Sequence, residues 1–299
     1  MKNSIHIFYH FSRVVTRVVN TLVIILLLLI PVVSNAGFPE EQPSSRAAAL
    51  SYSVVGLTDG WSLFYNQAGL AYQENVWIGV HHENRFIAPE LSFSAIGALM
   101  PVKNGSFGLS IKRLGFSQFN QTKAGLAYGM KLAPTFSAGI QLNAHHVYFA
   151  GEYGSTTAFS AEGGIIYSPT SELSIGFHIL NPTRSRLYDE ERIPTLLNLG
   201  LAYQLSEMVN VTAGVEKNLD AQFAFKAGIE FIPINNLYFR TGMASNPSLL
   251  SFGLGYKVSS LQFDFAFTRH EILGYTPHFS LSYVFGKRET STPIEPSSL

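Results

Sequence analysis

The sequence has no cysteine and little charge. Only 13% of its 299 residues are Asp, Glu, Lys or Arg, and they balance to a formal net charge of +0. Without thiols there are no disulfides, thiolate metal sites or cysteine nucleophiles. Such a chain suits a compartment where stray thiols oxidise. Without a basic excess it lacks the electrostatic footprint of a nucleic-acid binder. A soluble domain carries about 25% charged residues, so this chain has too few for an ordinary water-facing surface. Past residue 40 it also lacks any apolar run near the roughly 20 residues that a membrane helix needs. What it has in quantity is glycine (25 residues) and aromatics (13%), a composition suited to barrel turns, close backbone packing and interfacial girdles.

The first 36 residues read as an export signal. Lys2, Arg13 and Arg17 precede the run Leu22–Ile30, which continues to Val33. Ser34-Asn35-Ala36 then places small residues at the two positions a signal peptidase reads. The apolar core is about a dozen residues, short for a spanning helix. The mature chain is expected to begin near Gly37.

From Val76 onward the chain alternates. In Leu261–His270, Phe263, Phe265 and Phe267 fall on one face and Gln262, Asp264, Ala266 and Thr268 on the other. Period 2 gives a strand one apolar and one polar side. About fourteen such segments follow, near 76–86, 90–102, 105–114, 121–132, 135–147, 157–168, 172–181, 195–205, 209–217, 221–232, 236–244, 249–258, 261–270 and 278–286. Most approach the roughly 9–11 residues of a tilted membrane strand. Tight turns such as Lys103-Asn104-Gly105 and Ser259-Ser260 follow every even strand. Longer polar stretches at 148–156, 182–194 and 271–277 lie between. Short turns on one side and long loops on the other are the outer-membrane asymmetry. The expected fold is therefore all-β: a transmembrane antiparallel β-barrel of about fourteen strands in a Gram-negative outer membrane, spanning 76–287. Residues 288–299, rich in Ser, Thr and Pro, read as a disordered periplasmic tail.

The polar sides carry Lys112, Lys123, Lys131, Glu162, Glu216, Lys226, Glu230, Arg240, Lys257 and Asp264, of both signs. Inside a barrel these pair across the lumen. On the lipid face each would cost about 2–4 kcal/mol at mid-membrane. Glycines such as Gly129, Gly139, Gly176, Gly200 and Gly228 share that inner face and leave room for a plug.

Residues 37–75 do not fit the ladder. They contain Ser45-Arg46-Ala47-Ala48-Ala49-Leu50, then Thr58-Asp59-Gly60-Trp61, then Leu63-Phe64-Tyr65-Asn66-Gln67-Ala68-Gly69-Leu70-Ala71. The Arg-Ala start, the Asp-Gly and the Asn-x-Ala-Gly-Leu-Ala resemble the N-terminal signature of PorV/PorQ-type proteins, related to the fatty-acid transporter FadL. That resemblance implies a fourteen-stranded barrel with the N-terminal segment folded into the lumen as a hatch. It marks Arg46, Asp59, Gly60, Asn66, Ala68, Gly69 and Leu70 as hatch-motif residues. The family usually has proline after the asparagine, where this chain has Gln67. Losing proline frees φ and adds a backbone donor, which loosens this turn. Asn66 reads as a turn residue capping the start of the strand, ahead of ligand contact.

No nucleophile elbow, zinc-protease helix or phosphate loop is present. His81-His82 and His145-His146 cannot chelate as pairs, because adjacent strand residues face opposite ways. Ser280 and His278 share a face, but no orienting acid is identifiable. No catalytic residue, metal or cofactor is expected. The resemblance implies a non-enzymatic scaffold that binds secretion-system proteins or exported cargo, in the manner of type IX secretion. The alternative is a FadL-like passive channel for a hydrophobic ligand, with Trp61, Leu63, Phe64 and Leu70 either lining its route or packing the hatch. The outer loops at 151–156 and 184–192 carry no apolar cluster, which favours the scaffold. Outer-membrane lipid is a partner on either reading.

Overall fold

A computed structural model describes residues 42–151, 154–187 and 192–286. The export signal, the tail 288–299 and the acidic run Asp189–Glu191 lie outside the described residues. Fourteen strands close into an antiparallel barrel in sequence order. They are β1 (Trp77–Asn84), β2 (Ser92–Val102), β3 (Gly105–Gly115), β4 (Phe119–Ala133), β5 (Phe136–Phe149), β6 (Ser155–Tyr167) and β7 (Leu173–Leu180). The ring continues through β8 (Leu196–Ser206), β9 (Val209–Asn218), β10 (Phe223–Ile234), β11 (Leu237–Ser245), β12 (Ser248–Val258), β13 (Leu261–His270) and β14 (Gly274–Val284). Pairing of β1 with β14, from Trp77↔Val284 to Glu83↔His278, closes it.

The wall is inside-out relative to a soluble protein. Phe159 is 71% exposed and Ile140 and Leu142 63% each, on the outer face. Lys112, Glu162, Glu216, Lys226, Glu230, Arg240 and Asp264 are all buried inside. Half-buried Lys123 reaches Glu162 at 2.9 Å, and Lys226 reaches Glu216 at 2.7 Å. Lys131 points inward at the rim, with Nζ 4.7 Å from the centre of the Tyr72 ring. Exposed aromatics ring both ends: Tyr167, Tyr203, Tyr256 and Tyr283 at the short-turn end, and Phe116, Tyr148, Phe223 and Tyr275 at the other. Rings at headgroup level bury an apolar body beside a wet edge.

The even-to-odd connections are tight, as at 103–104, 207–208 and 259–260. Asn236 and Ser259 take left-handed φ there (76° and 53°), as two-residue hairpin turns require. By the outer-membrane rule this end faces the periplasm. The opposite loops are shorter than their polarity suggested. Strands β5 and β6 run on to Phe149 and from Ser155, leaving 150–154, and β14 starts at Gly274 rather than at 278, leaving 271–273. Pro277 lies inside β14 one residue past the end of the β1 ladder, where a strand can spare an N–H. Only 85–91 and 181–195 are long. At the base of the second, Asn181 Nδ2 donates to the Ile193 carbonyl at 2.7 Å.

Candidate functional site

The segment 42–75 lies in the lumen and touches every strand in turn. Ser44 caps a short helix, α1 (Ser45–Ala49), by accepting the Ala47 N–H. The helix is mostly alanine because it has no room: Ala48 and Ala49 pack on Ala266 of β13, and Ala49 fills the space a side chain at Gly253 would need. Ser45 donates its N–H to Ser280 Oγ at 2.8 Å. The chain then turns through Ser51 and Tyr52, both left-handed. Ser51 bonds Ser251 on β12 (2.8 Å) and Ser53 bonds Thr212 on β9 (2.6 Å). Val55 and Gly56 press on β7 and β8 at Gly176 and Gly200. After Asp59, a 3-10 turn Gly60–Phe64 faces β1 to β3, and a second, Gln67–Tyr72, faces β3 to β6.

The inner glycines are the seat of this segment. A Cβ at Gly176 would stand 2.1 Å from the Val55 carbonyl oxygen, and one at Gly139 2.3 Å from the Gln67 carbonyl carbon. At Gly242 it would meet Leu50 backbone at 2.5 Å. Backbone against backbone has no slack, so these positions exclude every side chain.

Each motif residue finds a structural task. Arg46 and Asp59, thirteen residues apart, meet at 2.6 Å. The Arg46 guanidinium also grips both oxygens of Glu230 of β10 with one edge, Nε at 3.0 Å and Nη2 at 2.8 Å. Glu230 continues to Arg240 (2.5 Å) and Arg240 to Asp264 (2.6 Å), while Asn210 donates to Glu230 at 3.1 Å. Tyr65 donates its hydroxyl to Asp59. Burial pushes the Tyr65 phenol well above its ordinary range, with the Asp59 carboxylate acting in the same direction, so it stays a donor. Asn66 caps the second 3-10 turn through the Ala68 N–H and donates Nδ2 to the Val55 carbonyl at 2.8 Å. This is a capping role within the segment rather than at a strand. Gly60 leaves space for the Trp77 indole and Gly69 for Ser62. Ala68 and Leu70 are fully buried. Gln67 donates to the Leu63 carbonyl at 3.3 Å, while its buried Oε1 has no hydrogen-bond partner among the described residues.

The two sides of the segment differ in chemistry. Toward β10 the contact is the Arg46–Glu230 pair, which the barrel's own Arg240 carries on to Asp264 of β13. Toward β1 to β4 it is apolar. Trp61, Leu63, Phe64 and Leu70 join Trp77, Phe93, Ala95, Leu99 and Ala127 in one buried cluster. Trp61 meets Trp77 edge-on at 5.0 Å. Leu63 lies where a Gly108 side chain would stand, and Phe64 where one at Gly97 would.

Above this seam the outer mouth has a feature the sequence pattern hid. Residues 85–91 form a loop rather than strand ends. It leans on the far end of the barrel seam: the Phe86 N–H donates to Thr276 Oγ1 at 3.1 Å, and its ring meets His270 edge-on at 5.9 Å. Phe86 and Ile87 both hold left-handed φ (55° and 58°), an outlier conformation for a β-branched residue. Ile87 is 67% exposed, and on the neighbouring loop Ile272 is 70% and Leu273 51% exposed. The polar character expected of 271–277 is therefore not what is found at Ile272 and Leu273, and the apolar loops stand by β1, β13 and β14. Beneath them Glu83 gathers Arg85 (2.6 Å), His81 (3.2 Å) and His278 (2.9 Å). Ser280 hydrogen-bonds His81 at 2.9 Å rather than His278. The acid that sequence reading could not find near Ser280 is Glu83.

No protein-family model matches the sequence, and no curated protein is similar to it. Solved structures are similar in fold. The toluene transporter TbuX of Ralstonia pickettii superposes with a TM-score of 0.64 at 11% identity, over 83% of this chain and 98% of that one. The monoaromatic hydrocarbon channel CymD also gives 0.64, at 12% identity, over 83% and 98%. A FadL homologue of Pseudomonas aeruginosa gives 0.58 at 12% identity, over 83% and 99%. At such identities the likeness is one of fold. The chain is a fourteen-stranded barrel of the FadL type, an architecture of Gram-negative outer-membrane transporters. The relation to FadL expected from the motif is met at that level. The PorV/PorQ side of the resemblance draws nothing from these neighbours, which are channels and transporters.

Proposed function

We propose that the protein is a passive outer-membrane channel for small hydrophobic molecules, with the lumenal segment as its hatch. The observation that carries this is the apolar seam between the segment and β1 to β4, lying in the sector where exposed Ile87, Ile272 and Leu273 crowd the outer mouth. A hydrophobic solute can replace one apolar surface by another at the seam with little loss of burial. It has nothing to gain among the charges of β10 to β13. Trp61, Leu63, Phe64 and Leu70 line the route when the hatch moves and pack it when the hatch is shut. The fold neighbours named for toluene and monoaromatic hydrocarbons support the solute class. The scaffold reading, with secretion proteins or cargo on the outer loops, rests on the motif resemblance alone.

The test is a reversible lock across the seam in a chain with no native cysteine. Leu63 Cδ1 lies 2.4 Å from the position of a Cβ at Gly108, where the nearest neighbours are all ends of side chains. Replacing both residues by Cys clears that space and leaves the Leu63 Cβ, two bonds back, near the roughly 3.5–4.5 Å a disulfide needs. Oxidised Leu63→Cys/Gly108→Cys protein is expected to stop uptake of labelled toluene or oleate into cells, and reductant to restore it. Equal uptake in both redox states removes the hatch mechanism. Uptake no faster than in cells without the protein removes the channel.

A further inference from the structure

We infer that the barrel binds one first-row divalent cation, of the zinc class, between His81, Glu83 and His278. The three residues are buried, and their donor atoms lie within 4.8 Å of one another. His81 Nε2 is 3.2 Å and His278 Nδ1 2.9 Å from the same Glu83 oxygen, Oε2. Donors around tetrahedral zinc at about 2.0–2.1 Å stand roughly 3.3 Å apart, so these spacings are those of atoms sharing one ion.

The surrounding hydrogen bonds turn the donors inward. Ser280 accepts the Ser45 N–H and donates its own hydroxyl proton to Ser45 Oγ at 3.0 Å. At 2.9 Å from His81 Nδ1, Ser280 Oγ then has only acceptor capacity left. His81 therefore carries its proton on Nδ1, and neutral His81 aims the Nε2 lone pair at a carboxylate. On the other ring, His278 Nε2 bonds Thr268 at 3.0 Å. His278 Nδ1, close as it is to Glu83, makes no hydrogen bond among the described residues. In the tautomer where His278 donates Nε2–H to Thr268, its Nδ1 lone pair joins that of His81 and the Glu83 oxygen in one buried space, an arrangement that a cation relieves. Ser280 and Thr268 are the outer partners that fix ring orientation at metal sites. Arg85 occupies the other oxygen, Glu83 Oε1, at 2.6 Å, which leaves Oε2 for the ion. Two imidazoles and one carboxylate are a zinc-type donor set. The ion would staple β1 to β14, the strands whose pairing closes the barrel.

The protein carries its own reporter. It has two tryptophans. Trp61 lies 6.5 Å from His81, and Trp77 lies 5.0 Å from Trp61. The full chain, extracted in detergent and also refolded in the presence of zinc, is assayed for metal content, and copper(II) is titrated against tryptophan fluorescence. One zinc per barrel and loss of most of the emission at one equivalent of copper are expected. His278→Ala and Glu83→Gln are each expected to weaken binding at least tenfold. His82→Ala, on the outer face, leaves it unchanged. Heat-shifted gel mobility confirms that each variant is a folded barrel. Two results overturn the site: no stoichiometric metal in either preparation, or zinc retained by the folded His81→Ala/His278→Ala protein.

Discussion

Arg46→Ala tests whether the lumenal segment is latched or merely enclosed. The guanidinium makes two bonds to Glu230 and one to Asp59. Removing one partner of a buried ion pair costs about 3–5 kcal/mol. The Arg46 side chain is 18% exposed, and Glu230 keeps Arg240 and Asn210, so the lower end applies, about 3 kcal/mol. At about 1.4 kcal/mol per decade, that is roughly a hundredfold shift toward release. Hydrogen exchange read by mass spectrometry resolves it. Amides of residues 45–72 are expected to exchange roughly a hundredfold faster through local opening, with the barrel strands unchanged. Arg46→Lys keeps the charge, loses the fork and falls between. Unchanged exchange over 45–72 would refute the latch. Equal acceleration over the strands would show that Arg46 holds the barrel itself.

Gln67→Pro is expected to stabilise the segment by about 0.4–1 kcal/mol, because it fixes φ at the first position of a 3-10 turn and removes the unpaired Oε1; slower exchange at 66–72 checks it. Gly176→Ala sets a methyl against the Val55 carbonyl and is expected to free the segment for limited proteolysis while the barrel stays resistant. Leu63→Ala opens a cavity in the seam and lowers its stability by about 2–5 kcal/mol, measured by denaturant-dependent exchange. Ile140→Lys, on the lipid face, lowers barrel stability by about 2–4 kcal/mol in a refolding titration.

The barrel was legible because one rule governs each strand. Period 2 in segments such as Phe223–Ile234 separates a lipid side from a lumen side, and all fourteen segments were found from it. The site was less legible. Asn66 as a cap and the inner glycines as a seat follow from local pattern and size. Pairing of Arg46 with Glu230 crosses 184 positions; the sequence shows two opposite charges and no reason for their meeting. His81 and Glu83 share a face by spacing, yet His278 reaches them only because the last strand pairs with the first. The loop 85–91 is longer than the 87–89 connection the pattern leaves, because Phe86 is a strand former by composition and only the structure shows it left-handed.

The asymmetry of the seat gives the hatch a direction. A hydrophobic solute competes only for apolar contacts, so it weakens the side of the segment that faces β1 to β4. It offers nothing to Arg46 or Glu230, whose charges lose by leaving each other. On the proposed channel reading, the segment is expected to swing about its ion-paired side. Saturating toluene or oleate is expected to accelerate exchange at 61–71 and leave 45–51 protected. The companion experiment puts the disulfide on the fixed side, at Ser51→Cys/Ser251→Cys, where the two hydroxyl oxygens are 2.8 Å apart. Oxidation there should leave uptake intact, in contrast to the Leu63–Gly108 lock. If the Ser51 lock stops uptake as completely as the seam lock, the segment leaves as a whole, and the division of its seat into a hinge and an opening edge is wrong.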